Sequence, residues 1–180
     1  MKEETFRDAA AVVNHLIENG YEAYIVGGAV RDHLIGRRVK DIDIATSATP
    51  DKVDGLFDKT IPVGVEHGTV VVRFRHQSFE VTTFRKESDY KDHRRPSAVS
   101  FVSSLHEDLQ RRDFTINAMA LSREGELIDP CDGRSDLQRK LIRTVGTAKE
   151  RFEEDPLRMM RAVRFASELD FRIEAETGNA

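Results

Sequence analysis

The chain has 180 residues, of which 39% are hydrophobic and 33% charged, and its 28 Lys and Arg against 32 Asp and Glu give a formal net charge of −4. That length fits one ordinary domain, or one domain and the beginning of a second, with enough apolar residues to bury a real core. The negative balance argues against a free-standing nucleic-acid binder, no run approaches the roughly 20 apolar residues of a membrane span, and a single cysteine, Cys131, rules out an internal disulfide or a cysteine-built zinc cluster.

The start, Met1-Lys2-Glu3-Glu4, is too polar and acidic for a signal peptide, so a cytoplasmic protein is expected. Helical periodicity from about Thr5 to Asn19 runs to Gly20, a helix-ending glycine. Tyr24-Ile25-Val26 reads as a strand, Gly27-Gly28 as a tight turn, and Ala29 to Ile35 as a short helix closed by Gly36. Asp41-Ile42-Asp43-Ile44 alternates like a half-buried strand, and Thr49-Pro50 opens a helix to about Phe57. Gly68 to Arg75 and Ser78 to Phe84, parted by His76-Gln77, predict a hairpin. Residues 86–98 lack periodicity and read as an exposed loop. Ser104 with Glu107 makes a capping box, and two short helices are expected up to Leu121. Leu141-Ile142-Arg143 reads as one more strand. From Thr147 the pattern is helical, which puts a domain boundary near Val145-Gly146 and gives two parts, 1–146 and 147–180. The apolar stripe of Ala162, Val163, Phe165, Ala166, Leu169 and Phe171 has little downstream chain to cover it, so a longer parent protein is expected.

Several residues have the chemistry of a site. Asp41 and Asp43, two apart on the expected strand, share a face about 6 to 7 Å apart, where a divalent cation would relieve their repulsion. Asp-x-Asp alone is a weak signal, and a solvated strand face with Ile42 and Ile44 turned inward reads from the same pattern. Glu80 in the hairpin can supply a third carboxylate if its strand lies beside theirs, or be an exposed strand residue. The glycine spacings fit neither a Walker A loop nor a dinucleotide fingerprint, and Ala45 and Thr46 stand where an EF-hand needs a ligand and glycine. Gly28 opens a helix where free N–H groups favour anions, with Arg31 one turn in. Arg37-Arg38-Val39-Lys40, Arg94-Arg95 and Arg111-Arg112 could each meet phosphate or be solvated surface. Asp155, Arg158, Arg161 and Arg164 repeat every three residues and form a ridge on a helix, although Asp155-Pro156 also reads as an N-cap and first helical residue.

Four segments in order, Gly27-Gly28-Ala29-Val30-Arg31-Asp32, Asp41-Ile42-Asp43-Ile44-Ala45-Thr46, Arg111-Arg112-Asp113-Phe114-Thr115-Ile116-Asn117-Ala118 and Glu154-Asp155-Pro156-Leu157-Arg158-Met159-Met160-Arg161-Ala162-Val163-Arg164-Phe165, resemble the motifs of class II tRNA nucleotidyltransferases, the CCA-adding enzymes, and of their bacterial poly(A) polymerase relatives. The resemblance implies an α/β (α+β) polymerase-β-like head with a mixed sheet, then the beginning of an all-helical neck. It implies template-independent addition of C and A from CTP and ATP to the 3′ end of tRNA by two-metal transfer with Mg²⁺. Asp41 and Asp43 match the metal-binding aspartates, Gly28 and Arg31 the triphosphate turn, and Arg112 a nucleotide-contacting arginine. Asp113 matches a ribose contact, and Asp155, Arg158, Arg161 and Arg164 the base-reading helix, with Glu80 as the candidate third catalytic carboxylate. The rivals are poly(A), CC- or A-adding enzymes, or a catalytically dead RNA-binding domain. Asp89-Tyr90-Lys91-Asp92-His93-Arg94-Arg95-Pro96 resembles the flexible loop that CC-adding relatives lack, which favours full CCA addition. No membrane contact is expected, and a homodimer is left open for the full-length protein. The family's tRNA-holding body and tail lie beyond the neck.

Overall fold

The computed structural model of the chain describes residues 2–90, 96–102, 104–155 and 157–179. Residues 91–95 of the loop, with Arg94-Arg95, and Pro156, the expected first residue of the arginine helix, lie outside them.

Helix α1 (Lys2–Glu18) buries Ala9, Val12, Val13 and Leu16, which recur at helical spacing on one face. It stops before Gly20, whose φ of +92° is the left-handed geometry of a helix-ending glycine. Strand β1 (Ala23–Val26) runs through a glycine turn into α2 (Gly28–Leu34). Strand β2 (Asp43–Thr46) leads to α3 (Pro50–Leu56), with proline at the first helical position as expected. Strand β3 (Thr60–Ile61) and a 3-10 turn at Val65–His67 precede the hairpin of β4 (Thr69–Phe74) and β5 (Gln77–Thr83). Its two-residue turn is Arg75-His76, both with positive φ (49° and 67°), as a primed hairpin turn demands.

These strands, with β8 (Ala120–Leu121) and β9 (Leu127–Ile128), form a seven-stranded sheet in the order β3-β4-β5-β2-β1-β8-β9. Only the β2–β5 pair is parallel, so the sheet is mixed. Ile25, Ile44, Val81 and Val70 lie in register across four strands and are buried with α1 and Val53 of α3 in the main core. One residue along, Val26, Asp43, Glu80 and Val71 form the next row, on the opposite face. There a smaller cluster of Val26, Ala45, Phe84, Leu105, Leu109 and Ala118 covers the middle of the sheet.

The sequence reading needs three corrections, two of them between the hairpin and β8. Residues 86–90 and 96–98 of the expected loop are strand: β6 (Arg85–Tyr90) pairs antiparallel with β7 (Pro96–Phe101) as a separate two-stranded ribbon. After it, Ser104 Oγ accepts the N–H of Glu107 at 3.4 Å and caps α4 (Leu105–Gln110). The second expected helix is only a 3-10 turn at Thr115–Asn117, because Ala120-Leu121 pairs with β1 and with β9. Finally, Asp41 stands before β2: β1 turns away at Gly27, so beyond Asp43 that side has no partner strand.

The remaining chain forms α5 (Gly133–Gln138), β10 (Leu141–Ile142), α6 (Ala148–Glu154), α7 (Leu157–Leu169), β11 (Arg172–Ile173) and α8 (Ala175–Gly178). Ala148, Phe152, Ala162, Phe165 and Phe171 join the main core, and β11 returns to pair in parallel with β10. The stripe seen in the sequence therefore splits. Ala162, Phe165 and Phe171 are buried, whereas Val163 is 62% exposed beside Met160 at 69%. Among the described residues no helix is long and apolar enough to cross a membrane.

Candidate active site

The antiparallel β1–β2 pair builds the centre of the site. Val26 sits opposite Asp43, so the residue after it, Gly27, lies beside that aspartate, and Gly27 donates its N–H to Met119 O at 3.3 Å. Gly27 has φ +73°, a conformation that costs glycine little. A Cβ there would stand 3.4 Å from Arg112 Nη1 and 4.0 Å from Asp43 Oδ2, so a backbone turn, an arginine and a carboxylate converge.

Asp43 and Glu80 are register partners on β2 and β5, and their carboxylates crowd each other. Burial above all, then the charges of Glu80 and Asp41, push the Asp43 carboxyl from 3.8 up to about 6, against the pull of Arg112. Asp41 is exposed just before the strand, and Glu80 is exposed on the sheet face outside the cleft that Asp41 and Asp43 line. Among the described residues no three His, Cys, Asp or Glu side chains gather into a cage. The donors still fit a hard divalent cation. Crowded carboxylate oxygens gain from one, and Mg²⁺ is usually held by one or two carboxylates with substrate phosphates completing the shell.

The cleft, about 940 Å³, runs from Asp41, Asp43 and Gly27-Gly28 to the arginines of α7. Arginine and lysine outnumber carboxylates in its lining although the whole chain is net negative. Arg37, Arg38, Lys40, Arg111 and Arg112, from the basic clusters read in the sequence, all reach it. So do Gly28, Arg31, Asp113, Asp155, Arg158, Arg161 and Arg164. The structure thus gathers every expected site residue except Glu80, which adjoins through Asp43.

Several of these side chains are already engaged. Arg31, 8% exposed, donates Nε to Asp32 at 3.0 Å and Nη1 to Asn117 Oδ1 at 2.7 Å. Asn117 Nδ2 donates to Asp113 Oδ1 at 3.2 Å, and Asp113 Oδ2 accepts from Arg161 Nε at 2.7 Å. One polar chain thus joins the glycine-turn helix to α7. Phe165 lies within it: the guanidinium groups of Arg31, Arg161 and Arg164 stand 5.1, 5.3 and 5.1 Å from its ring centroid, and its ring meets Phe114 edge-on at 6.0 Å. Arg158 is buried and donates to Arg151 O at 3.1 Å. Asp155 Oδ1 accepts the N–H of Leu157 at 3.0 Å, which is the cap, and the residue also lines the cleft. Sequence reasoning missed Asn117 and Phe165 as parts of the site, though both stand in the quoted motifs. Asn117 is four residues after Asp113, and Phe165 follows the last arginine of the ridge.

The family model described as Poly A polymerase head domain matches residues 23–143. The chain belongs to that family. A CCA-adding enzyme of Bacillus velezensis is 57% identical over 178 residues, which is 99% of this chain and 45% of that protein. The crystal structure of the Bacillus stearothermophilus CCA-adding enzyme in complex with CTP superposes with a TM-score of 0.89 at 52% identity, covering 96% of this chain and 41% of that one. A tRNA nucleotidyltransferase complexed with a primer tRNA and an incoming ATP analog superposes at 0.78 with 37% identity, covering 93% of this chain and 48% of that one. The chain therefore spans about half the length of the relatives it matches. The mixed sheet and helices are those of the family's head, and nucleotidyltransferases of this kind are metal-dependent.

Proposed function

We propose that this chain carries the catalytic end of a cytoplasmic CCA-adding enzyme, with residues 1–146 as nucleotidyltransferase head and 147–180 as the start of the neck. It would extend the 3′ end of tRNA with C and A from CTP and ATP and release pyrophosphate. The observation that carries this reading is the single cleft in which Asp41 and Asp43, Gly27-Gly28, Arg112 and the α7 ridge face one another. The CTP-bound and tRNA-bound relatives support the choice of substrates.

In this reading Asp41 and Asp43 would hold Mg²⁺, which would supply positive charge beside the tRNA 3′-hydroxyl and the nucleotide's α-phosphate. Glu80 keeps the Asp43 carboxyl crowded and therefore avid for a cation. The Gly28 turn and Arg31 border the triphosphate, Arg112 donates to it, and Asp113 lies near the ribose while fixing Arg161. Asp155 and Arg158 offer a carboxylate acceptor beside a guanidinium donor. That pair matches the amino group and ring nitrogen that C and A both present and opposes the carbonyl and N–H of U and G.

The test is to incubate the chain with Mg²⁺, tRNA lacking CCA, and CTP, ATP, UTP and GTP singly and together, then read the product ladder. Two C additions with CTP alone and a third, A, addition with both are expected. A long A tail from ATP alone would point to poly(A) synthesis, and no addition with any nucleotide would overturn the proposal.

A further inference from the structure

Asp108 is only 1% exposed on the short helix α4, and nothing in the proposed chemistry uses it. Its Oδ2 accepts from Arg112 Nη2 at 3.1 Å, and its Oδ1 accepts from Arg111 Nε at 3.4 Å and from the backbone N–H of Arg85 at 3.0 Å. All three arginines line the cleft, and Arg85 is the first residue of the β6–β7 ribbon, held also through Nη1 on His67 O at 2.6 Å. One buried carboxylate therefore meets the cleft's arginines and the foot of the ribbon together.

Arg112 shows what this grip leaves over. With Nη2 on Asp108, its Nη1 points to the Gly27 turn beside Asp43, and its Nε is buried with no partner among the described residues. Nη1, beside the Gly27 turn that lines the cleft, is the donor left to a ligand oxygen. Burial and the neighbouring Arg111 charge weaken the hold of Arg112 on its proton, and Asp108 opposes both.

We propose that Asp108 is a positioning residue for nucleotide binding: its carboxylate fixes one edge of Arg112, aims the remaining donors at the incoming triphosphate, and ties that aim to the first residue of the β6–β7 ribbon. The inference rests on the cleft being the nucleotide site. A carboxylate kept only for stability would need no cleft arginine as partner. Asp8, 3% exposed and bonded to Arg75 and Gln77 on α1 well outside the cleft lining, is such a case.

Equilibrium binding of CTP and of ATP to the 180-residue chain with Mg²⁺ tests it, with melting temperature measured beside it. Asp108→Asn should weaken both nucleotides at least tenfold and equally, since the contact does not read the base. Asp8→Asn should lower the melting temperature without changing either affinity. Combining Asp108→Asn with Arg112→Lys should bind no more than about twofold worse than the weaker single variant, because both act through one contact. Should Asp108→Asn fail to fold, Asp108→Glu keeps the charge but displaces it, and the same tenfold loss is expected. Affinity within twofold of wild type in either folded Asp108 variant, or multiplied effects in the double variant, would overturn the role of Asp108 alone. A wild-type chain that binds neither nucleotide would overturn the nucleotide site with it.

Discussion

At Asp43 the fold sets two demands against each other: a carboxylate is buried beside Glu80 and must be ionised to hold a cation. Its pKa of about 6 lies above the ordinary 3.8, so the folded state binds the proton more tightly than the unfolded chain, and stability falls as pH rises through that window. In chelator, Asp43→Asn should be more stable than wild type by about 2 kcal/mol above pH 6, after discounting for solvent access. The gap should shrink from pH 6 toward 4 and vanish below. Melting curves across pH check this, and nucleotide addition by the variant should be lost. Asp155 calls for a finer substitution, because its Oδ1 caps α7. Asparagine caps about as well as aspartate but brings no charge to the cleft. Asp155→Asn should therefore leave the melting temperature within about 2 °C of wild type yet narrow the CTP over UTP preference at least tenfold. An unchanged ratio would mean that the residue is a cap and nothing more.

At the scale of elements, the sequence was legible wherever a segment lies on the core. α1 and the β4–β5 hairpin bury one face each, and that obligation leaves a 3.6- or 2-residue period to read. The β6–β7 ribbon joins no larger sheet, so its strands were under no pressure to alternate, and residues 86–98 passed for a loop. Strands of two residues such as β8 and β11 are too short to carry a period, and β11 exists only because β10, thirty residues earlier in the chain, is there to pair with. The site residues were legible as ordered motifs, while their connections were not. Nothing local says that Arg31 meets Asn117 or that three guanidinium groups surround Phe165. Phe165→Leu tests that contact, since it keeps apolar volume in the core and removes the ring face. It should cost about 1 to 2 kcal/mol of stability and raise the KM for CTP and ATP together, as Arg161 and Arg164 lose their shared support. A KM unchanged for both would assign Phe165 to packing alone.

For the molecule as a whole, net charge and its distribution bear on different ligands. A chain of −4 gathers nine of its arginines in one cleft, room enough for a nucleotide, and leaves the remainder of the chain more negative than the whole. Binding of tRNA by these 180 residues should therefore be weak, with a shallow dependence on salt. A sub-micromolar dissociation constant at physiological ionic strength, measured by titration of labelled tRNA, would show that the head suffices.

The two-residue parallel pairing of β10 with β11 bears on where this protein can be cut. The match to the family model ends at residue 143, inside the segment that β11 closes, although similarity to whole relatives runs on through 99% of the chain, so a fragment trimmed to that border would expose a raw strand edge and the apolar sockets of Phe165 and Phe171. The border of the family model is thus not the border of the packed unit, because Phe165 and Phe171 lie beyond it in the main core. Expressed alone, residues 1–146 should aggregate or bind a hydrophobic dye, whereas 1–180 should elute as a discrete species with a cooperative melt. A soluble, cooperatively melting 1–146 fragment would show that the later helices are tenants of the head and not part of its foundation.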